Sequence, residues 1–318
     1  MKLIIQIPCY NEEKTLPLVL KEIPKKIEGI TSIETVVIDD GSQDKTSEVA
    51  KKYGCTVIKN KSNKGLGMSF KKGLDYALKQ DVDILVNTDG DNQYPGKYIP
   101  ALVKPVIQKK ADLVIGNRSP WRIKHFSPLK RILQYFGSSV VRRLTNTEVE
   151  DTVSGFRAYS KEALYNINIT TRFSYVLDTL MQISKKELKI VTIPIRTNRP
   201  TRKSRLFKNI FQHVFRSAED ILRLYAVYEP FKTFFKISML FLIPGLLIGF
   251  RFLYFFMQGE GDGHIQSLIA AAILIITSVV MFVMGILGEL LKTNRQLLEE
   301  NQVALRKIKN GRTNKKNN

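Results

Sequence analysis

Asp83-Ile84-Leu85-Val86-Asn87-Thr88-Asp89-Gly90-Asp91-Asn92-Gln93 opens as an apolar run of strand length and ends as two carboxylates about a single glycine. A strand buried on both faces loses the polar alternation of a half-exposed one, so a short apolar run that breaks off into turn residues reads as a central strand. The construction recurs upstream, where Leu3 to Pro8 runs into Cys9-Tyr10-Asn11-Glu12 and Ile33 to Ile38 runs into Asp39-Asp40-Gly41-Ser42. Thr56 to Lys59 and Leu113 to Gly116 supply two more runs, and segments of helical period lie between them at Glu13 to Lys25, Lys45 to Tyr53 and Gly67 to Lys79. Strands alternating with helices predict an α/β domain with a mostly parallel sheet covered on both faces. Ligands of such sheets bind beyond the carboxyl ends of the strands, so the three polar clusters are expected on one functional rim.

The chemistry of that rim follows from its residue types. In extended conformation Asp89 and Asp91 face the same way and can meet one cation, Gly90 lets the backbone approach a diphosphate, and Gln93 adds an amide oxygen. Hard oxygen ligands suit Mg²⁺ or Mn²⁺ sharing its coordination with substrate phosphates. Asp39 to Thr46 reads as a strand end, a turn and a helix start with Asp44 as a cap; Asp39 there either caps locally or accepts from a base N–H or ribose hydroxyl. Pro8-Cys9-Tyr10-Asn11-Glu12-Glu13 stands where a dinucleotide fold carries G-x-G-x-x-G, which argues against a dehydrogenase.

The charge points to a surface. The chain of 318 residues has 50 Lys+Arg against 29 Asp+Glu, and the whole excess of +21 comes from Arg118 to Arg143 (+7), Lys185 to Lys208 (+8) and Leu290 to Asn318 (+6). Near the third cluster lie two long apolar runs, Phe234 to Met257 and Ser267 to Gly288, which as helices reach about 36 and 33 Å, enough to cross a bilayer. Their connector, Gln258 to Gln266, holds Glu260 and Asp262 and no Lys or Arg, whereas Lys232, Lys236, Lys292, Arg295, Arg306 and Lys307 flank the pair. The positive-inside bias therefore predicts an integral membrane protein with its catalytic domain and both termini in the cytoplasm. Arg251, inside the first run, is expected to snorkel toward the outer loop. No h-region or cleavage site follows Met1, so neither a signal nor a transit peptide is expected. Cys9 and Cys55 have no disulfide or metal spacing, which fits a reducing compartment. The expected organisation is a catalytic domain at 1–205, juxtamembrane amphipathic helices at 206–233, a transmembrane hairpin at 234–289 and a cytoplasmic tail at 290–318, mobile from Arg306 onward. Basic amphipathic helices around Ile132 to Leu144 and Leu206 to Tyr228 suit a lipid interface or packing on the sheet.

Ile7-Pro8-Cys9-Tyr10-Asn11-Glu12, the segment Val37 to Thr46, Asn63-Lys64-Gly65-Leu66-Gly67 and Asp89-Gly90-Asp91-Asn92-Gln93-Tyr94-Pro95 resemble, in order, the motifs of family 2 glycosyltransferases of GT-A fold. Asp151-Thr152-Val153-Ser154-Gly155-Phe156-Arg157, the stretch Arg199 to Arg205 and the hairpin extend the likeness to the branch that loads a sugar onto polyprenyl or dolichyl phosphate. The resemblance implies metal-dependent, inverting transfer of a hexose from a UDP- or GDP-sugar to undecaprenyl or dolichyl phosphate. It implies that Pro8, Tyr10, Glu12, Asp39, Asp89, Gly90, Asp91, Arg118, Arg199 and Arg205 hold the nucleotide sugar and that Asp89, Asp91 and Gln93 hold Mg²⁺ or Mn²⁺. Arg131, Ser139, Arg199 and Arg205 would take the lipid phosphate, and Asp91, Asp151 and Arg118 would serve catalysis, Asp151 as a base, an orienting group or a structural residue. One departure is Arg202, where the family usually has glycine.

Three other readings were set against this one. A processive polysaccharide synthase would carry Q-x-x-R-W and more spans, whereas Trp121 here precedes its arginine. A nucleic-acid binder would explain the +21, but the clusters flank membrane-facing segments, so no nucleic-acid partner is expected. A silent membrane scaffold would not need Asp89, Asp91 and Gln93 together. The expected partners are a nucleotide sugar, a polyprenyl phosphate, membrane lipid and, through the spans, a second copy of the chain.

Overall fold

The computed structural model describes residues 1–119, 128–169, 175–199, 219, 223 and 225–316, with the backbone alone at 128–136 and 310–316. It divides into two compact units, one of residues 1–210 with 302–318 and one of residues 211–301.

The first unit is built on a seven-stranded sheet. Its strands are β1 (Lys2–Cys9), β2 (Ser32–Asp39), β3 (Thr56–Lys59), β4 (Ile84–Asn87), β5 (Leu113–Asn117), β6 (Arg157–Ser160) and β7 (Ile190–Pro194), in the order β3-β2-β1-β4-β6-β5-β7. β6 runs antiparallel between β4 and β5, and the other pairings are parallel. All of β4 and nearly all of β1 are buried, as expected of central strands whose two faces are covered. Helices α1 (Leu16–Glu22), α2 (Thr46–Lys52), α3 (Leu66–Lys79), α4 (Ile99–Ile107), α5 (Pro128–Thr145), α6 (Lys161–Asn166) and α7 (Tyr175–Lys185) complete this part. The core on one face gathers Leu3, Ile5, Ile7, Val37, Val86 and Val114 from alternate strand positions against Leu16, Leu102 and Val103 of the helices.

The five strands read from apolar runs are present, each extended by up to two residues. β6 and β7 were not read from the sequence. Arg-Ala-Tyr-Ser in β6 begins with a fully buried arginine and lacks the composition of a central strand, whereas β7 is an apolar run, Ile-Val-Thr-Ile-Pro, that forms a half-exposed edge strand. The C-terminal half of α5 buries Val141 and Leu144, lies against α7, and sends Thr145 O to accept from Ser184 Oγ. That half packs inside the catalytic unit, where the sequence had left a lipid interface open. Of the second basic stretch, residues 206–218, 220–222 and 224 lie outside the described residues.

The second unit holds α8 (Pro230–Met257) and the start of α9 (Ile265–Lys316). Both are long and apolar enough to cross a membrane, and the most apolar window of each is only 6% and 17% buried within the protein. A soluble core helix hides its apolar surface; these expose Leu240, Leu247, Phe250 and Ile276. The two helices meet through small residues: Ser238 and Ser278 share a buried hydrogen bond of 2.9 Å, and a Cβ on Gly245 or Gly288 would come within 3.0 Å of Ile275 or 2.7 Å of Pro230. Arg251 lies over the Phe255 ring, itself 4.1 Å from His264 of the connector, so its side chain follows the direction expected of snorkelling.

The segment 290–316, expected as a cytoplasmic tail that is mobile from Arg306, continues α9 as helix. From Gln302 it belongs to the first unit. Arg306 donates to the carbonyls of Tyr165 (3.1 Å) and Ile167 (2.6 Å) at the end of α6, and Lys307 pairs with Glu162 at 2.9 Å. A cation on the unpaired carbonyls of a helix C-terminus gives this segment a fixed seat.

Candidate active site

The loops that leave β1 and β2 are bonded into one surface. Asn11 N–H donates to Ser42 Oγ (2.9 Å), Gln43 N–H to Asn11 Oδ1 (2.9 Å), Glu12 N–H to Thr46 Oγ1 (2.8 Å), and Glu13 N–H to Asp44 Oδ2 (3.1 Å). Asp44 also accepts from Thr46 N–H, the first residue of α2, at 3.0 Å. Asn11, at φ 56°, makes the tight turn these bonds require. Pro8 is buried in β1, Glu12 is buried and accepts from Thr15 Oγ1 at 2.6 Å, and Tyr10 stands out with 37% exposure.

Asp39 is fully buried, with Oδ1 accepting from Ser42 N–H (2.7 Å), Oδ2 from Ser47 Oγ, and Lys59 Nζ at 3.8 Å. As placed, it organises the Gly41–Thr46 turn. Its neighbour Asp40 received no role from the sequence, yet it accepts from Asn60 Nδ2 (2.7 Å), Lys64 N–H (2.9 Å) and Gly65 N–H (2.8 Å), so it shapes the Asn63-Lys64-Gly65 loop. Gly41, at φ 76°, has Ser62 backbone 2.7 Å from where a Cβ would lie, which holds the two loops in close approach.

Asp89, Gly90 and Asp91 follow β4 in a turn and not as extended strand, so the alternation argument for their carboxylates does not apply. A local bond aims Asp91 instead: Gln93 N–H donates to its Oδ1 at 3.1 Å, an Asx-turn, with Asn92 at φ 61°. Asp89, Asp91 and Gln93 all remain partly exposed. Gly90 is buried, and its Cβ would lie 2.7 Å from Cys9 Sγ and 3.4 Å from Glu12 Cγ, so the missing side chain makes room for β1 and not for a ligand. Burial, with Glu12, Asp39 and Asp89 nearby, pushes the Cys9 thiol well up. Gly90→Ala is expected to destabilise the protein by about 1–3 kcal/mol through overpacking. Gly90→Ala combined with Cys9→Ala should recover most of that loss in thermal unfolding, and a double variant no more stable than Gly90→Ala would reject this account.

Among the described residues no group of three or more His, Cys, Asp and Glu side chains is arranged to hold a metal by itself. Two carboxylates and an amide oxygen on one partly exposed loop suit a cation that completes its shell from a bound diphosphate, the habit of Mg²⁺ and Mn²⁺.

The Asp151–Arg157 segment packs behind this loop. Asp151 is fully buried, and Arg118 grips it with Nε to Oδ2 (2.7 Å), Nη2 to Oδ1 (2.8 Å) and its backbone N–H to Oδ2 (3.1 Å). Burial pulls the Arg118 pKa down, but Tyr94, Asp151 and Asp89 outweigh it and hold the guanidinium above its ordinary value. Arg118 thus fills three of the roughly four acceptor positions of this carboxylate, the geometry of an orienting ion pair. Arg157, buried in β6, donates to the carbonyls of Thr152 (2.9 Å), Ser154 (2.8 Å) and Val176 (2.7 Å) and to Thr179 Oγ1 (2.9 Å), which locks the turn. Gly155 N–H donates to Tyr94 Oη at 3.2 Å, and a Cβ on Gly155 would lie 2.9 Å from Tyr175 Oη and 3.4 Å from both carboxylate oxygens of Asp89. Asn87 at the end of β4 donates to Gly155 O (2.9 Å) and Tyr175 Oη (2.7 Å) and accepts from Gln6 Nε2 (2.9 Å). The structure therefore brings Asp89, Arg118 and Asp151 together through Gly155 and Tyr94, members of the two motifs, and through Tyr175, which lies in neither.

Arg199 is described and exposed. Arg205 and the side chain of Arg131 lie outside the described residues, as do Arg202 and Trp121. Ser139 is half-buried on α5, and its neighbour Ser138 meets Thr152 Oγ1 at 3.2 Å.

A mostly parallel sheet, three polar loops on one rim and one antiparallel strand between β4 and β5 define a nucleotide-sugar transferase fold of the GT-A type. The model of "Glycosyl transferase family 2" matches residues 4–167, and the chain belongs to that family: it is a glycosyltransferase. It is 30% identical over 270 residues to a dolichol-phosphate mannosyltransferase of Pyrococcus furiosus, covering 81% of this chain and 73% of that one. It is 26% identical over 206 residues to an undecaprenyl-phosphate mannosyltransferase of Micrococcus luteus, covering 61% and 83%. Among solved structures it shares its fold with glucosyl-3-phosphoglycerate synthase of Mycobacterium tuberculosis, crystallised with Mn²⁺, UDP and glucosyl-3-phosphoglycerate, at a TM-score of 0.54 and 19% identity over 71% of this chain and 78% of that one.

Proposed function

We propose that this glycosyltransferase moves a hexose from a UDP- or GDP-sugar to a polyprenyl phosphate at the cytoplasmic membrane face, with inversion at the anomeric carbon and dependence on Mg²⁺ or Mn²⁺. The observation that carries the reading is the partly exposed Asp89–Gln93 loop with Arg199 leaving directly beside it, in a chain that also holds two helices long enough to span a bilayer. The names of the Pyrococcus and Micrococcus relatives support the acceptor class, and the Mn²⁺ bound in the mycobacterial synthase supports the cation.

The acceptor phosphate is already anionic at neutral pH, so its oxygen needs little help from a base. Catalysis then consists of holding two mutually repelling phosphorylated molecules in line and stabilising the departing diphosphate. Asp89, Asp91 and Gln93 would hold the cation, which supplies electrostatic stabilisation of the leaving diphosphate when bound. Tyr10 and Glu12 border the nucleoside side of the rim, and Arg118 faces the loop from behind while Asp151 fixes its orientation. Arg199 and Arg205 would serve phosphate, on the donor or the lipid, and Arg131 and Ser139 would take the lipid phosphate. The flanking lysines and arginines set both chain ends in the cytoplasm.

A panel of UDP- and GDP-sugars incubated with the detergent-purified full chain and undecaprenyl or dolichyl phosphate, with and without Mn²⁺, tests this. The expected product is a lipid carrying one sugar, formed only with the cation. Formation of long glycans, or full turnover in excess chelator, would contradict it.

A further inference from the structure

The chain leaving β7 meets the loop that follows β4 within a few residues. Ile195 N–H still bonds to Asn117 O of β5 (2.8 Å), but three residues later Asn198 is on the other side of the rim. Its backbone N–H donates to Gln93 O at 3.0 Å and its side-chain Nδ2 to Asn92 O at 3.0 Å, across 106 positions of sequence. It lands on the strained part of the loop. Asn92 has φ 61°, and its own side-chain oxygen is buried without a hydrogen-bond partner among the described residues, so the bond from Asn198 to its carbonyl is one of the few that hold it. The next residue along the chain is Arg199, exposed.

We propose that Asn198 is a positioning residue that fastens the chain leading into Arg199 to the Asp89–Gln93 loop, so that the donor side and the acceptor-phosphate side of the rim move as one body. The roles of the two sides rest on the function proposed above; the fastening is a property of the chain itself. A loop that shifts when a diphosphate and its cation bind would carry Arg199 with it, and an arginine set at the right distance would cost the lipid phosphate less ordering on arrival.

The test uses the full chain in detergent with Asn198→Ala, which removes the side-chain donor, and Asn198→Asp, which keeps the size but turns an oxygen toward the Asn92 carbonyl. Without any ligand, amide hydrogen exchange of the peptide spanning 195–199 is expected to be about fivefold faster in both variants, the factor for one net hydrogen bond. In the transfer assay, the KM for polyprenyl phosphate should rise about fivefold or more, while the Kd for the Mn²⁺–nucleotide complex changes less than twofold. The KM effects of Asn198→Ala and Arg199→Ala should be less than additive, because the first variant already misplaces the second residue. Unchanged exchange in both variants would overturn the fastening. Faster exchange with an unchanged acceptor KM, or with additive effects, would leave Asn198 a purely structural bond and overturn the positioning role. If the wild-type chain transfers to no polyprenyl phosphate, the functional reading fails, and exchange alone still decides the fastening.

Discussion

Asp91→Ala is expected to reduce sugar transfer roughly a thousandfold while leaving the protein folded and in the membrane fraction. The side chain is partly exposed and accepts from Gln93 N–H at 3.1 Å in an Asx-turn, so its loss is expected to cost the fold only on the order of 1 kcal/mol. The loss to the reaction is of a different size. If Asp91 holds the cation as proposed, its removal would take away charge stabilisation at the leaving diphosphate, and a single such electrostatic group is commonly worth about a hundred- to a thousandfold in rate. Radiolabelled transfer, with thermal unfolding as the control for folding, measures both. Turnover at the wild-type rate in Asp91→Ala would remove the metal role from this loop.

Asp151→Asn is expected to cost about 3–5 kcal/mol of stability, because it strands the Arg118 guanidinium, 13% exposed, beside a neutral amide. A catalytic base would behave differently: the same substitution would abolish transfer and leave the unfolding midpoint where it was. The pair Arg118→Met with Asp151→Leu separates the two roles further. Apolar residues of similar volume should restore most of the lost stability, since a buried ion pair contributes little beyond what well-packed hydrophobic groups supply. Transfer should stay low in that double variant, because Arg118 no longer faces the loop. Chemical denaturation of the full chain in detergent reads the first effect and the transfer assay the second. A fully stable but inactive Asp151→Asn would make Asp151 the base after all.

How far local sequence reaches is seen in β4 and β6, which are neighbours in the sheet. β4 is four buried residues, Ile84 to Asn87, and its exit into Asp89-Gly90-Asp91 is visible as a change of composition. β6 is also four residues, but Arg157 at its start is buried only because carbonyls of Thr152, Ser154 and Val176 surround it, and those partners belong to other segments. Asp39 shows the same limit at the site. Its place at the end of β2 and a local capping role were legible, whereas the further bond from Ser47 that engages its second oxygen was not. Gly90 was read as space for a ligand, yet the space belongs to Cys9, 81 positions earlier in the chain.

The amino-acid sequence by itself determined the alternation of strands and helices, the three polar strand exits, the two bilayer-length helices and the family, because burial and periodicity are written residue by residue along the chain. Only the tertiary structure decided that Arg118 closes on Asp151 from 33 positions away, that β6 enters antiparallel, that Arg306 seats the end of α9 on α6, and that Asn198 ties Arg199 to the Asp89–Gln93 loop from 106 positions away. Each of these joins polar groups that have no periodic neighbour to announce them; their partners are chosen by which backbone ends the folded sheet brings within about 3 Å of one another.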